Sequence, residues 1–222
     1  MNQNKKLVIL TGINRGLGMA LFDLIIYRKN LSVLGITRTL NQRQEDLLER
    51  KYFDCYLHDF TKEPDTIPFD EFLNGYVEII FINNAFTIEP IDLYQNISRK
   101  KLMDSISINI LSPLTILNNL VKSLRDEQSL KIINISSGAA RKPIKGWSLY
   151  CSSKSFNEMF YKCLDLEDNI ETHSIDPGVL NTKMQAQIRS NSTEDFDWVD
   201  HFKSLELKSP NDVAKLIVND YL

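Results

Sequence analysis

A doubly wound α/β fold, a parallel sheet with helices on both faces, is predicted by three observations. Short continuous apolar runs such as Leu7 to Thr11 and Val77 to Ile82 read as strands buried on both faces. Longer segments with helical periodicity alternate with those runs along the chain. The first run enters a glycine-rich turn, TGINRGLG, directly ahead of a helical stretch. At 222 residues and 43% hydrophobic content, the chain has the size of one large α/β domain, taken here as residues 1–222.

The elements follow in order. Leu7 to Thr11 is the first strand, and Thr11 to Gly18 is the turn, with a helix from Leu17 to about Lys29. A strand, a glycine turn and a helix N-terminus together form an anion site, because unsatisfied N–H groups and the helix dipole face a ligand the glycines let close. Gly12, Asn14, Arg15, Gly16, Leu17 and Gly18 are the candidate binding residues of this turn, spaced G-x-x-x-G-x-G. No Gly-Lys-Ser/Thr follows, which excludes a Walker loop. Leu31 to Thr37 is the second strand. An NAD site places an acid about twenty residues past the glycines, but Arg38 stands there. With Arg15 it offers two guanidinium forks suited to a 2′-phosphate, so NADP is expected over NAD.

A short helix near Gln44 to Arg50 precedes a third strand, Tyr52 to Leu57, which ends at His58-Asp59. A helix near Asp65 to Leu73 leads to the fourth strand, Val77 to Ile82, and to Asn83-Asn84-Ala85. Amide side chains at the carboxyl end of a strand sit where open α/β sheets bind ligands. Ser98 to about Arg125 is a long helical segment with a kink expected at Pro113 and Asn109 one turn earlier. Lys131 to Ile135 is the fifth strand, and a helix from Ser148 to about Leu166 follows. Its apolar residues cover roughly 160° at 100° per residue, wider than one packing face needs, so a second protomer is expected to cover the excess. Glu171 to Ile175 is the sixth strand. The polar stretch from Asn181 to Lys208, with Met184, Phe196, Trp198 and Phe202 dispersed in it, is expected to be a substrate loop. Ser209-Pro210 starts the last helix.

The centre of the chain is IINISSGAARKPIKGWSLYCSSK, Ile132 to Lys154. Tyr150 and Lys154 are four apart and share a helix face, while Ser137 ends the preceding strand. A free phenol has a pKa of about 10. A cation about 4 Å away at an effective dielectric of 20 is worth roughly 4 kcal/mol, about three pKa units. Tyr150 beside Lys154 is thus a candidate general acid near neutral pH, with the Ser137 hydroxyl polarising a carbonyl oxygen. That combination suggests ketone reduction.

The net charge of −3, with both signs interspersed, gives no electrostatic footprint for nucleic acid or an anionic membrane. No apolar run is long enough to span a bilayer, and the polar start MNQNKK does not read as a signal peptide. The three cysteines lack C-x-x-C spacing, as expected of reduced thiols in the cytoplasm. Cys151 is expected to be a small packing residue. The three histidines are far apart in sequence, so no metal site is argued.

Taken together, TGINRGLG, Asp59, Asn83-Asn84-Ala85, Asn109, Ser137 with Tyr150 and Lys154, and Pro177-Gly178 with Thr182 resemble the short-chain dehydrogenase/reductase family over nearly the whole chain. SSGAARKPIKGWSLYCSSK and DPGVLNTKMQAQIRS look most like its benzil reductase and sepiapterin reductase branch. The resemblance implies a Rossmann fold, NADP(H), a small-molecule carbonyl substrate such as a diketone, and a homodimer or homotetramer. It implies that Tyr150 donates the proton, Ser137 holds the carbonyl oxygen, Lys154 binds the nicotinamide ribose and lowers the tyrosine pKa, and Asn109 keeps a water in a proton relay. Asp59 would contact adenine, Asn83 and Ala85 the adenosine ribose region, and Val179 and Thr182 the carboxamide and phosphates. Two departures stand out: Phe86 replaces the glycine of the usual NNAG, and Leu222 falls where the family would add a seventh strand. They favour a rival, a non-catalytic NADPH-binding sensor, which has no need of the complete catalytic set.

Overall fold

The computed structural model describes residues 6–50, 52–62, 66–191 and 198–222. Six strands form one parallel sheet in the order β3-β2-β1-β4-β5-β6. They are β1 (Lys6–Thr11), β2 (Leu31–Thr37), β3 (Phe53–Leu57), β4 (Glu78–Asn83), β5 (Ser129–Ile135) and β6 (Ile170–Ile175). Nine helices are described among these residues: α1 (Gly16–Ile25), α2 (Gln42–Leu47), α3 (Phe69–Phe72), α4 (Arg99–Ile106), α5 (Ser112–Ser123), α6 (Ser148–Leu164), α7 (Lys183–Arg189), α8 (Val199–Ser204) and α9 (Pro210–Tyr221). β6 is the edge strand beyond β5.

The apolar runs become strands because both sheet faces are covered. Successive side chains point to opposite faces, so Val8 and Leu10 join one core with Phe22, Ile25, Ala214 and Ile217 of α1 and α9. Leu7 and Ile9 join the other, with Ile116, Leu120 and Tyr161 of α5 and α6. A third cluster, Ile88, Ala139, Trp147, Tyr150, Ile188, Val199 and Phe202, gathers residues from the segments that follow β4 and β5 and from α6, α7 and α8. The strand order reverses between β1 and β4, so the segments following those two strands lie side by side, where open α/β sheets bind ligands.

Three elements differ from expectation. The helix expected over 65–73 is the single turn Phe69–Phe72, with Pro68 at its N-cap; Asp65 lies outside the described residues. The long helix is interrupted by a π turn, Ser107–Leu111, between α4 and α5. Pro113 has no N–H to offer the carbonyl of Asn109 four residues back, and that carbonyl instead accepts from Asn157 Nδ2 at 3.0 Å. The excursion 181–208 contains α7, capped by Thr182, and α8; Phe196 lies outside the described residues. Its base is closed by a parallel bridge between Leu180 and Lys208, with hydrogen bonds from Lys208 N to Val179 O and from Asn181 N to Lys208 O, both 2.9 Å.

Candidate active site

The glycine turn joins β1 to α1. Gly12 and Gly16 sit at φ +73° and +56°, a backbone region that favours glycine. Gly18 is required for a different reason: a Cβ there would lie 2.1 Å from the Gly12 oxygen and 2.4 Å from Asn84 Nδ2. Leu17 is buried in the core, whereas Arg15 is exposed. Asn14 Nδ2 donates to Thr39 at O (3.1 Å) and Oγ1 (2.9 Å), tying the turn to the segment after β2 that carries the exposed Arg38. No side chain caps the N-terminus of α1 and no acid lies in its first turn. Its leading N–H groups and positive dipole end therefore fit a pyrophosphate. Thr182 stands over the turn, its Cγ2 3.3 Å from where a Cβ on Gly16 would be.

The segment after β4 is bound to the same turn. Thr11 Oγ1 accepts from the N–H groups of Asn84 and Ala85, both at 2.9 Å, and Asn84 Nδ2 donates to the carbonyls of Thr11 (2.9 Å) and Gly12 (3.2 Å). Asn83 is buried and donates to Asn134 Oδ1 at 3.4 Å. The Asp59 carboxylate is half-buried, and its Oδ1 accepts from Thr61 N and Oγ1. These bonds, with the Arg38 charge adding to them, hold it below the usual carboxylate range.

Beside this cradle stand the residues of β5 and α6. Ser137 caps the short 3-10 turn Gly138–Ala140, its Oγ accepting from Ala139 N at 3.2 Å, and its hydroxyl stands close enough to the Tyr150 phenol to favour the phenolate. Tyr150 and Lys154 lie on the inward face of α6 with Ser153, Asn157 and Tyr161. Lys154 Nζ donates to the Ile135 carbonyl at 2.6 Å and lies 5.8 Å from the centroid of the Tyr150 ring. Asn109 is buried in the π turn, where its side chain makes two bonds with Thr87, accepting from N and donating to O, each 2.9 Å. Val179 packs against the third apolar cluster. The predicted hydroxyl, phenol and ammonium thus come together, while Asn109 reaches the site through Thr87.

Burial dominates the electrostatics. It pushes the Tyr150 phenol up to about 12, against the Ser137 hydrogen bond that favours the phenolate, with the charges of Cys151 and Asp176 adding to the rise. It pulls the Lys154 ammonium down to about 7, against the attraction of Asp176 and Glu158. The phenol therefore rises, contrary to the lowering expected from Lys154: rings of Phe86 and Trp147 pack T-shaped on Tyr150, at 5.6 and 5.4 Å between centroids, and dry the site. The two carboxylates are themselves bridged by Arg141, at 2.7 Å to Glu158 and 3.2 Å to Asp176, and Ser136 Oγ donates to Glu158 at 2.6 Å.

Residues 6–193 match the family model for short chain dehydrogenase. The chain belongs to this family. It is 31% identical over 230 residues to a benzil reductase ((S)-benzoin forming) of Bacillus cereus, covering 96% of this chain and 92% of the relative. A protein of the same description from Bacillus subtilis is 32% identical over 225 residues, with the same coverage. Among solved structures, the KRED1-Pglu enzyme superposes with a TM-score of 0.85 at 25% identity, covering 97% of this chain and 94% of that one.

As a short-chain dehydrogenase, the protein is an oxidoreductase of a family that binds NAD(P)(H). Several residues that shape its site escape sequence reasoning. Thr87 and Asn157 hold Asn109 by side chain and carbonyl, and Asn84 staples the glycine turn. Only the Asn-Asn pair after β4 and the proline four residues past Asn109 hint at these bonds in advance. Cys151 packs against the third apolar cluster, as expected of a small packing residue.

Proposed function

We propose that the protein reduces a ketone or diketone carbonyl with NADPH, with Tyr150 as proton donor. The observation that carries this reading is the meeting of the Ser137 hydroxyl, the Tyr150 phenol and the Lys154 ammonium next to an uncapped helix N-terminus. NADPH, when bound, supplies the hydride for the carbonyl carbon. Ser137 donates a hydrogen bond to the carbonyl oxygen, and Tyr150 Oη gives that oxygen its proton. Lys154 holds positive charge beside the phenol as the proton leaves.

Aromatic walls support an aromatic or vicinal diketone. Phe86 and Trp147 flank Tyr150, and Phe202 of α8 stacks on Trp147 with centroids 5.1 Å apart. Relatives described as benzil reductases agree with that choice. Arg15 and Arg38, one in the glycine turn and one after β2, support NADPH over NADH. α6 supports a homodimer or homotetramer: it turns polar side chains inward and leaves Phe156 and Met159 exposed, and Leu166 just past its end is exposed as well. Next to them a groove of about 440 Å³ runs between α5 and α6, lined by Leu114, Val121, Phe160 and Leu164 among others. No helix among the described residues is long and apolar enough to cross a membrane, and with free thiols at Cys55, Cys151 and Cys163 we take the location to be cytoplasmic.

The test is oxidation of NADPH by the purified protein with a panel of diketones and quinones. Turnover is expected with at least one aromatic diketone, and Tyr150→Phe is expected to abolish it while retaining NADPH binding. Unchanged turnover in Tyr150→Phe would refute the assigned role. NADPH binding without turnover of any carbonyl would return the sensor reading.

A further inference from the structure

Phe86 occupies an unusual place. The Lys154 ammonium sits 3.5 Å from the centroid of its ring. The same ring meets Tyr150 at 88°. Its backbone is fixed on both sides: Ala85 N donates to Thr11 Oγ1, and Thr87 is held at N and O by the Asn109 side chain. The backbone that carries the ring is thereby held in place.

The charge surroundings explain what that face can do. Lys154 is buried, and its Nζ is hydrogen-bonded to the Ile135 carbonyl. Glu158 on its own helix and Asp176 after β6 attract it, but both are shared with Arg141 from the segment after β5. Glu158 also accepts from Ser136, and Asp176 from the Gly178 N–H. The Tyr150 ring lies beside it as well, its centroid 5.8 Å from Nζ. The ammonium thus rests between the Ile135 carbonyl and the Phe86 face, and an ammonium over such a face is attracted by the ring quadrupole, most strongly where water is excluded.

We propose that Phe86 is a positioning residue for proton transfer: its ring face clamps the Lys154 ammonium against the Ile135 carbonyl and so sets the charge and place of that cation beside Tyr150. The proposal deepens the carbonyl-reductase reading and rests on it for its kinetic arm. A glycine at this position has no face to offer.

The decisive variant keeps the volume and cancels the quadrupole: 3,4,5-trifluorophenylalanine at position 86, introduced by nonsense suppression, with Phe86→Leu and Phe86→Tyr beside it. The first readout is the pH titration of the Lys154 amine by NMR of protein labelled at lysine Cε and assigned with Lys154→Met, which needs neither turnover nor reagent access to a buried amine. The apparent amine pKa is expected to fall by about one unit with the trifluorinated ring and with Leu, and to stay at the wild-type value with Tyr. The second is the alkaline limb of kcat for diketone reduction, which is expected to move to lower pH by the same amount, because discharge of Lys154 ends activity. An amine pKa unmoved by the trifluorinated ring would overturn the proposal and leave Phe86 as filler. If the wild-type protein turns over no carbonyl, the functional reading fails, while the amine titration still decides the role of Phe86.

Discussion

Lys154→Met is expected to change the pH dependence of folding stability in a defined direction. The Lys154 ammonium is buried and its pKa lowered from 10.5 to about 7. In the unfolded chain this lysine takes up its proton near 10.5, but in the folded protein only near 7. Between those values the unfolded state binds more protons, so native stability rises with pH across that window. Each unit corresponds to about 1.36 kcal/mol. From pH 6 to pH 9 the wild-type protein should therefore gain roughly 2–3 kcal/mol relative to a variant with an uncharged chain of similar length. Methionine keeps the apolar volume but removes the donor to Ile135 O, a cost that does not vary with pH. Cys55 and Tyr150, both pushed up to about 12 by burial, titrate in both proteins and cancel in the difference. The assay is urea unfolding of both proteins at intervals from pH 6 to 9, with the stability difference plotted against pH. A difference that stays flat over this range would show that Lys154 is not desolvated as described.

Two further outcomes are expected. Gly18→Ala places a methyl group against the Gly12 carbonyl and Asn84 Nδ2, so it should lose about 2–3 kcal/mol in urea unfolding and weaken NADPH binding at least tenfold; an unchanged unfolding midpoint would sink the close-approach argument. Arg38→Asp should turn the cofactor preference toward NADH in fluorescence titrations, since it exchanges a phosphate partner for a ribose hydroxyl acceptor. Equal affinities before and after the change would undo the case from charge.

Much of the scaffold was legible in the sequence because burial on both faces leaves a plain signature. Leu31–Thr37 is a strand over the expected span, and the other strands shift by two residues or fewer. Thr182 capping α7 through Gln185 N was readable from its spacing, yet polarity suggested an irregular stretch. The π turn was not readable as such: Pro113 announces a kink, but only the packed partner Asn157 decides which carbonyl it frees and what fills the gap. The meeting of Ser137, Tyr150 and Lys154 was legible from residue types and spacing, whereas its electrostatics was not. Coulomb attraction between Tyr150 and Lys154 can be reckoned from helix geometry, but the drying of both by Phe86 and Trp147 belongs to tertiary packing. Asn109 likewise reads as a polar residue near a kink, and only the folded chain reveals that it spends its side chain on Thr87.

The closure at Val179, Asn181 and Lys208 makes the intervening stretch a handle whose two roots are already soldered together. A handle of this kind can be exchanged without moving the backbone roots of Ser137, Tyr150 or Lys154, although Ile188, Val199 and Phe202 within it pack in the same cluster as Tyr150 and Trp147. Chimeras that trade this cassette with a relative should keep those roots while changing the apolar wall beside Tyr150, provided the exchanged piece brings its own partners for Trp147.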